Sequence, residues 1–442
     1  LLEMARVSTK VLGFCLLALL IGSAIAESDK RDTSASSVLL SVIGSKVPRG
    51  LMASWSRSFQ TATNQVVKLS YGDLQTGVAK QLFRDSTAAN MIVSDLPLTQ
   101  DESTTIQTNR GSGVVHAPLA VAGLAIAYNK NSLGFSGTLN LSPALLAQIF
   151  SGAITNWNST AILAENPGFS SPNLMIKPIV MDGQAGTTYT FSRYLYGQAP
   201  TLWLNSPSYT INGGANAIHV TTPEDANSAL AAAGTIAYVS FADAGALFVA
   251  AIKNAAGTKY VLPTLDSILL AAQNPAVALP TTGTDNWADN HLLGSPNANA
   301  YPISFYAYSI FLTEQADAGA NGAALGAFIL WSQTSAAQSA TNASSLAPLP
   351  GSVLTLNNNT MVDNMHYSQP TTNYWPYVAP VAPAPLQPEP VAAPVLKTIP
   401  SSGLQVVIIV VLVILIVLVI GYDQYRGGCI IKCNSTGRGI WA

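Results

Sequence analysis

The chain has 442 residues, 49% of them hydrophobic and only 10% charged, with a formal net charge of −2. Soluble chains usually carry about a quarter charged residues, so Ser, Thr, Asn and Gln must do most of the solvating here. The charge balance gives no basic footprint for nucleic acid and no acidic tail, and the length allows a large core in two or three domains.

Arg6 and Lys10 precede an apolar run from Val11 to Ile21, and Ala24-Ile25-Ala26 closes the segment before Glu27. This is the pattern of a secretory signal peptide over residues 1–26, with Met4 as the start. The apolar run is too short for a membrane span, which needs roughly twenty residues.

From residue 36 onward strand-like and helix-like runs alternate. Ser37–Ile43, Val66–Tyr71 and Met91–Ser94 read as strands, and Gly50–Thr63 and Gly77–Phe83 as helices. The segments Ala120–Asn129, Ser142–Phe150, Thr235–Ser240, Ser304–Thr313 and Gly322–Gln333 continue the series. Such alternation predicts βαβ units and a largely parallel sheet.

Within this region Met175–Phe191 reads MIKPIVMDGQAGTTYTF: a β-like run, a Gly-rich polar loop, then a segment able to start a helix. Successive N–H groups of such a loop, backed by a helix N-terminus, make a concave donor site for an anion. The alternative is a plain strand-to-helix turn whose Thr187 or Thr188 caps the helix. Gly111-Ser112-Gly113 lacks the setting of a hydrolase nucleophile and reads as a turn. His116, His219, His291 and His366 are scattered without metal-ligand spacing. Trp287, Trp331 and Trp375 either stack on sugars or pack internally. No enzyme, metal or cofactor is expected from these residues.

Val378–Pro400 is rich in Pro, Ala and Val and predicts a polyproline II stalk of roughly 70 Å within a linker of residues 376–403. Leu404–Ile420 is apolar except for Gln405, so residues 404–422 read as a single transmembrane helix. Arg426, Lys432 and Arg438 follow it, which places residues 423–442 in the cytosol and the bulk of the chain outside. Cys15 falls in the signal segment, whereas Cys429 and Cys433 fall in the tail, where they are candidates for lipidation. The ectodomain therefore carries no disulfide and must stand on its hydrophobic core. Asn140, Asn158, Asn342 and Asn358 stand in glycosylation sequons.

Leu139–Ile162 resembles the signature of the phosphate-binding proteins of bacterial phosphate ABC transporters: Ile149, Phe150, Gly152, Ile154 and Trp157 fall where that signature wants them. Further blocks keep the family's order: IGSKVP with Leu51 and Trp55, Val93–Leu98, Gly123–Asn129, Asp182–Phe191, Gly234–Ala244, Tyr301–Phe311 and Phe328–Gln338. The resemblance spans residues 37–360. It implies an α/β, two-lobe type II periplasmic-binding-protein fold over residues 36–365, here followed by the stalk and the membrane helix. Lobe one would comprise residues 36–121 and 301–365 and lobe two residues 122–300, closing on a ligand by hinge motion.

The resemblance also implies a ligand site. Asp95 matches the family aspartate that accepts a hydrogen bond from a protonated phosphate oxygen and so selects against sulfate; its other reading is a cap on the turn before Pro97. Gly186 and Thr187 match the Gly-Thr pair that opens the lobe-two helix. Thr76 stands near the family's loop serine, and Lys46 and Val47 occupy positions whose backbone N–H groups donate. Two positions depart from the pattern: Val180-Met181 stands where the family has arginine, and Ala185 where it has serine. Arginine makes bidentate contacts to phosphate, so its absence weakens the site. The expectation is a membrane-anchored protein at the plasma membrane that captures phosphate or another small anion outside the cell. The alternative is a structural or adhesive surface glycoprotein that keeps the scaffold without the ligand.

Overall fold

The computed structural model describes residues 37–87, 89–170, 172–289, 292–315, 319–360, 364–366 and 374–376. All lie in the unit that ends at Pro380; the second unit, Val381–Ala442, lies wholly outside the described residues. The signal segment, the stalk, the membrane span, the tail with Cys429 and Cys433, and His291 also lie outside them. Among the described residues no helix is long and apolar enough to cross a membrane.

The first part of the chain alternates as its periodicity predicts: β1 (Val38–Ser45), α1 (Arg49–Ala62), β2 (Val67–Leu74), α2 (Thr76–Asp85), β3 (Met91–Ser94) and α3 (Gln100–Arg110). Helix α1 buries Leu51, Met52, Trp55 and Phe59, which helical spacing puts on one face. Gly111, at φ 65°, ends α3 in the left-handed conformation that glycine adopts without strain. Next come β4 (Val114–Tyr128), α4 (Lys130–Leu133), β5 (Asn140–Leu141), α5 (Pro143–Phe150), α6 (Thr160–Glu165), β6 (Lys177–Met181) and α7 (Gly186–Gln198). They are followed by β7 (Ile218–Val220), α8 (Pro223–Ala229), β8 (Thr235–Ser240), α9 (Phe241–Ala244), β9 (Ala251–Lys253), β10 (Tyr260–Val261) and α10 (Leu265–Gln273). The chain returns through β11 (Ser304–Leu312), α11 (Ala320–Ser332), α12 (Ser335–Ser339) and α13 (Gly351–Thr360).

Eight strands join in the order β2-β1-β3-β11-β4-β8-β6-β7, and β10-β9-β5 form a small second sheet. The expectation of a largely parallel sheet needs correction. Strand β1 is parallel to β2 and β3, and β6 to β7 and β8, but β11 runs antiparallel to β3 and β4, and β4 antiparallel to β8. The reason is connectivity: β4 carries the chain out of one lobe and β11 carries it back, so the two pass in opposite directions. Strand β4 serves both lobes, pairing with β11 up to Gly123 and with β8 from Leu124 onward. The β4–β11 register shifts beside Pro118, which has no N–H to give the ladder.

Each lobe has its own aromatic core. Trp55 meets Phe328 and Trp331 edge-on at 6.1 and 5.9 Å, and Phe191 lies 4.8 Å from Phe150 and 4.7 Å from Tyr238. The signature block serves as scaffold: Trp157 is buried and its indole N–H donates to the Gly234 carbonyl at 3.0 Å. Trp287 and Trp331 are buried too, which leaves packing and not sugar stacking as their role; Trp375 is half-buried. His116 is buried in β4, His219 pairs with Asp182 at 2.8 Å, and His366 pairs with Glu314 at 2.7 Å. Asn158, Asn342 and Asn358 are exposed, while Asn140 is half-buried in β5 and its backbone is bonded by the Asn166 amide.

Candidate functional site

The C-terminal ends of β1, β3, β6 and β8 converge where the lobes meet, the usual crevice of parallel α/β sheets. They line a partly open cavity of about 40 Å³. Lys46, Val47, Thr76, Asp95, Ala185, Gly186 and Thr187 all line it. Residues from distant parts of the chain are thus brought to one small space.

Five helices begin beside this cavity: Thr222 and Ser240 cap α8 and α9 with their hydroxyls, whereas α1, α2 and α7 carry no side-chain cap. Helix α1 starts after Pro48, α2 after Gln75 and α7 after Ala185, each without a capping hydrogen bond from its N-cap side chain. Elsewhere Thr99, Ser142 and Thr264 cap their own helices. The first N–H groups of a helix have no carbonyl within it, and the helix dipole adds positive potential there. The reading of Thr187 or Thr188 as a cap is therefore corrected: Ala185 is the N-cap, and the Thr188 hydroxyl bonds to the Met181 carbonyl and to Tyr238. Val47 also differs from expectation, because its N–H donates to the Ser45 hydroxyl at 3.1 Å.

Asp95 directly follows β3 and is 2% exposed. Thr76 Oγ1 lies 3.2 Å from its Oδ2, while Oδ1 is buried without a hydrogen-bond partner. Burial, chiefly, pushes this carboxyl up to about 6; the Ser45 and Thr76 hydroxyls pull it down and the Asp243 charge pushes it further up. Capping the turn before Pro97 is not its role, since the Ser94 hydroxyl bonds both the Leu96 N–H and the Leu96 carbonyl. Gly186 belongs where it is for steric reasons: a Cβ there would lie 2.6 Å from both Asp95 Oδ2 and Thr76 Oγ1. Only glycine lets the start of α7 come this close to the opposite lobe.

Other groups at the site went unnoticed in the sequence. Ser45, Gln75, Thr221, Ser240 and Asp243 also line the cavity. Gln75 spans the cleft, donating from Nε2 to the Asp182 carbonyl at 3.0 Å and accepting from the Gln184 N–H at 2.6 Å. The Gly77 N–H donates to the Gln184 carbonyl at 3.0 Å beside it. Asp243 is paired with Arg49, and burial holds its carboxyl above the usual range. Ser240 and Asp243 fall in the block Gly234–Ala244, so position was the available signal. At the departure from the family pattern, Val180 is fully buried in β6 and Met181 faces the cavity as a thioether, leaving Lys46 as a cation in its lining.

The sequence profile of a family described as a PBP superfamily domain matches residues 26–335. Phosphate-binding protein PstS 3 of Mycobacterium tuberculosis is 32% identical over 262 residues, 58% of this chain and 68% of that protein. Phosphate-binding protein PstS of Xylella fastidiosa is 29% identical over 249 residues, 54% of this chain and 63% of that protein. Among solved structures, the ancestral soluble variant of the Human Phosphate Binding Protein superposes with a TM-score of 0.57 at 20% identity, covering 72% of this chain and 92% of that one. A DING protein gives 0.56 at 20% identity with the same coverage. At such identity these structures speak for the two-lobe α/β fold alone. By sequence profile and by relatives the chain belongs to the PBP superfamily, and its two-lobe α/β architecture accords with that.

Proposed function

We propose that this protein captures phosphate, or another small oxyanion that carries a hydroxyl, between its two lobes. One observation carries the reading: three uncapped helix N-termini converge on a cavity that also holds a buried carboxylate with an unpartnered oxygen. Helix N-termini suit the anionic oxygens of the ligand. Asp95 Oδ1 suits its one proton. A monohydrogen phosphate satisfies both demands at once, whereas sulfate, without a proton, would set oxygen against carboxylate. That the relatives are phosphate-binding proteins supports phosphate as the ligand. The boundaries of the lobes and the membrane anchorage after residue 403 stand as part of this proposal, with capture outside the cell.

Calorimetric titration of the purified protein with phosphate and with sulfate tests it. Heat from phosphate that vanishes in Asp95→Asn, and none from sulfate, is the expected result. The buried Val180 in place of the family arginine favours a second reading, a surface scaffold without a ligand. Absence of phosphate heat up to millimolar concentration would establish that reading instead.

A further inference from the structure

Arg49 opens α1, next to the cavity, and its side chain crosses to the other lobe. Nη2 lies 2.9 Å from Asp243 Oδ1 in α9 and 2.8 Å from Glu224 Oε1 in α8. The Asp243 side chain is 11% exposed and lines the cavity, and its charge acts on Asp95. A cavity meant for an anion thus contains two carboxylates. Asp95 has a use for its charge, since it can accept the ligand's proton. Asp243 has none, and left unpaired at the cavity wall it would repel the ligand.

We propose that Arg49 is a positioning residue for anion capture: by bridging the lobes to Asp243 it cancels the second carboxylate only when the cleft is shut. The inference rests on the capture reading above. Arg49 and Asp243 sit on different lobes, so their pairing forms as the lobes meet and is lost as they part. Closure and charge balance become one event. The open cleft keeps a net negative wall, which weakens anion binding to the open form and raises the affinity difference between open and closed states. A ligand can shift a conformational equilibrium only by such a difference.

The test uses the full chain with Arg49→Gln, Arg49→Lys and the double variant Arg49→Gln with Asp243→Asn. Two readouts are taken: calorimetric phosphate affinity, and hydrogen exchange of the Gly77 and Gln184 amides, which are bonded across the cleft. Arg49→Gln should weaken phosphate binding by about tenfold or more, Arg49→Lys by less, and the double variant should regain affinity to within about threefold of wild type. Exchange at Gly77 and Gln184 should accelerate in both variants that lack the cation. Wild-type affinity in Arg49→Gln, or a double variant no better than the single one, would overturn the proposal. Should the wild-type chain give no phosphate heat, the capture reading fails by itself. The exchange arm still decides the latch then, and unchanged protection in Arg49→Gln would overturn it.

Discussion

Asp95 offers a measurement of how far the closed cleft strains its own ligand site. Burial raises this carboxyl to about 6 from an ordinary value of 3.8. The folded state therefore prefers the protonated form, and it holds the proton over a window in which the unfolded chain has lost it. Stability linked to Asp95 is fully present below the ordinary carboxylate range, falls as pH rises through the interval up to about 6, and stays low above it. A shift of this size corresponds to about 3 kcal/mol in all, of which about 2.5 kcal/mol falls between pH 4 and 7.5. Asp95→Asn removes the titration. Whatever constant cost the amide adds cancels when the variant's stability relative to wild type is compared at the two pH values. Urea denaturation at both should show that relative stability rising with pH by about 2 to 3 kcal/mol. A relative stability that stays level between the two would mean that Asp95 is hydrated in solution, and that the buried, unpartnered oxygen does not describe the site.

Gly186→Ala puts a Cβ 2.6 Å from two oxygens of the opposite lobe. The contact is relieved by opening the cleft, and alanine favours the helix by up to about 1 kcal/mol. Folding stability should hold while phosphate affinity drops at least about tenfold; calorimetry showing wild-type affinity would contradict the steric argument. Trp55→Ala empties the site beneath Phe328 and Trp331 and removes the indole bond to the Ala337 carbonyl. Chemical denaturation should show a loss of about 3 to 5 kcal/mol, and a loss under about 1 kcal/mol would refute that packing. His116 is held down to about 3, first by burial, with Nε2 accepting the Leu98 N–H at 3.0 Å. Its neutral ring stabilises the fold above the ordinary histidine range, and that contribution is lost as pH falls from about 6.5 toward 3. His116→Gln should flatten the acid limb of the stability curve by more than about 2 kcal/mol; an unchanged slope would show the ring is already charged.

Much of this molecule was legible one segment at a time. Met91–Ser94 and Thr235–Ser240 appear as β3 and β8 with the ends expected of them, because short apolar runs bounded by polar residues leave few other local structures. The strand, Gly-rich loop and helix start at Met175–Phe191 were equally readable, and so was the absence of an arginine at Val180-Met181. The family resemblance led to seven residues that do share one cavity.

What local pattern left open concerns pairs far apart in the chain. Arg49 meets Asp243 across 194 positions, and Gln75 meets Gln184 across 109. Neither residue type nor spacing announces such a partner, because the contact joins segments that only the tertiary fold brings together. The antiparallel course of β4 and β11 is hidden for the same reason, since direction follows from where the chain crosses between lobes. Asp95 shows the division most clearly. Its identity and its place at the end of a strand are properties of the sequence, but its raised pKa comes from dehydration by walls that both lobes supply. Sequence periodicity decides which atoms each segment offers to the cleft; the meeting of the lobes excludes the water, and that exclusion decides the charge those atoms carry.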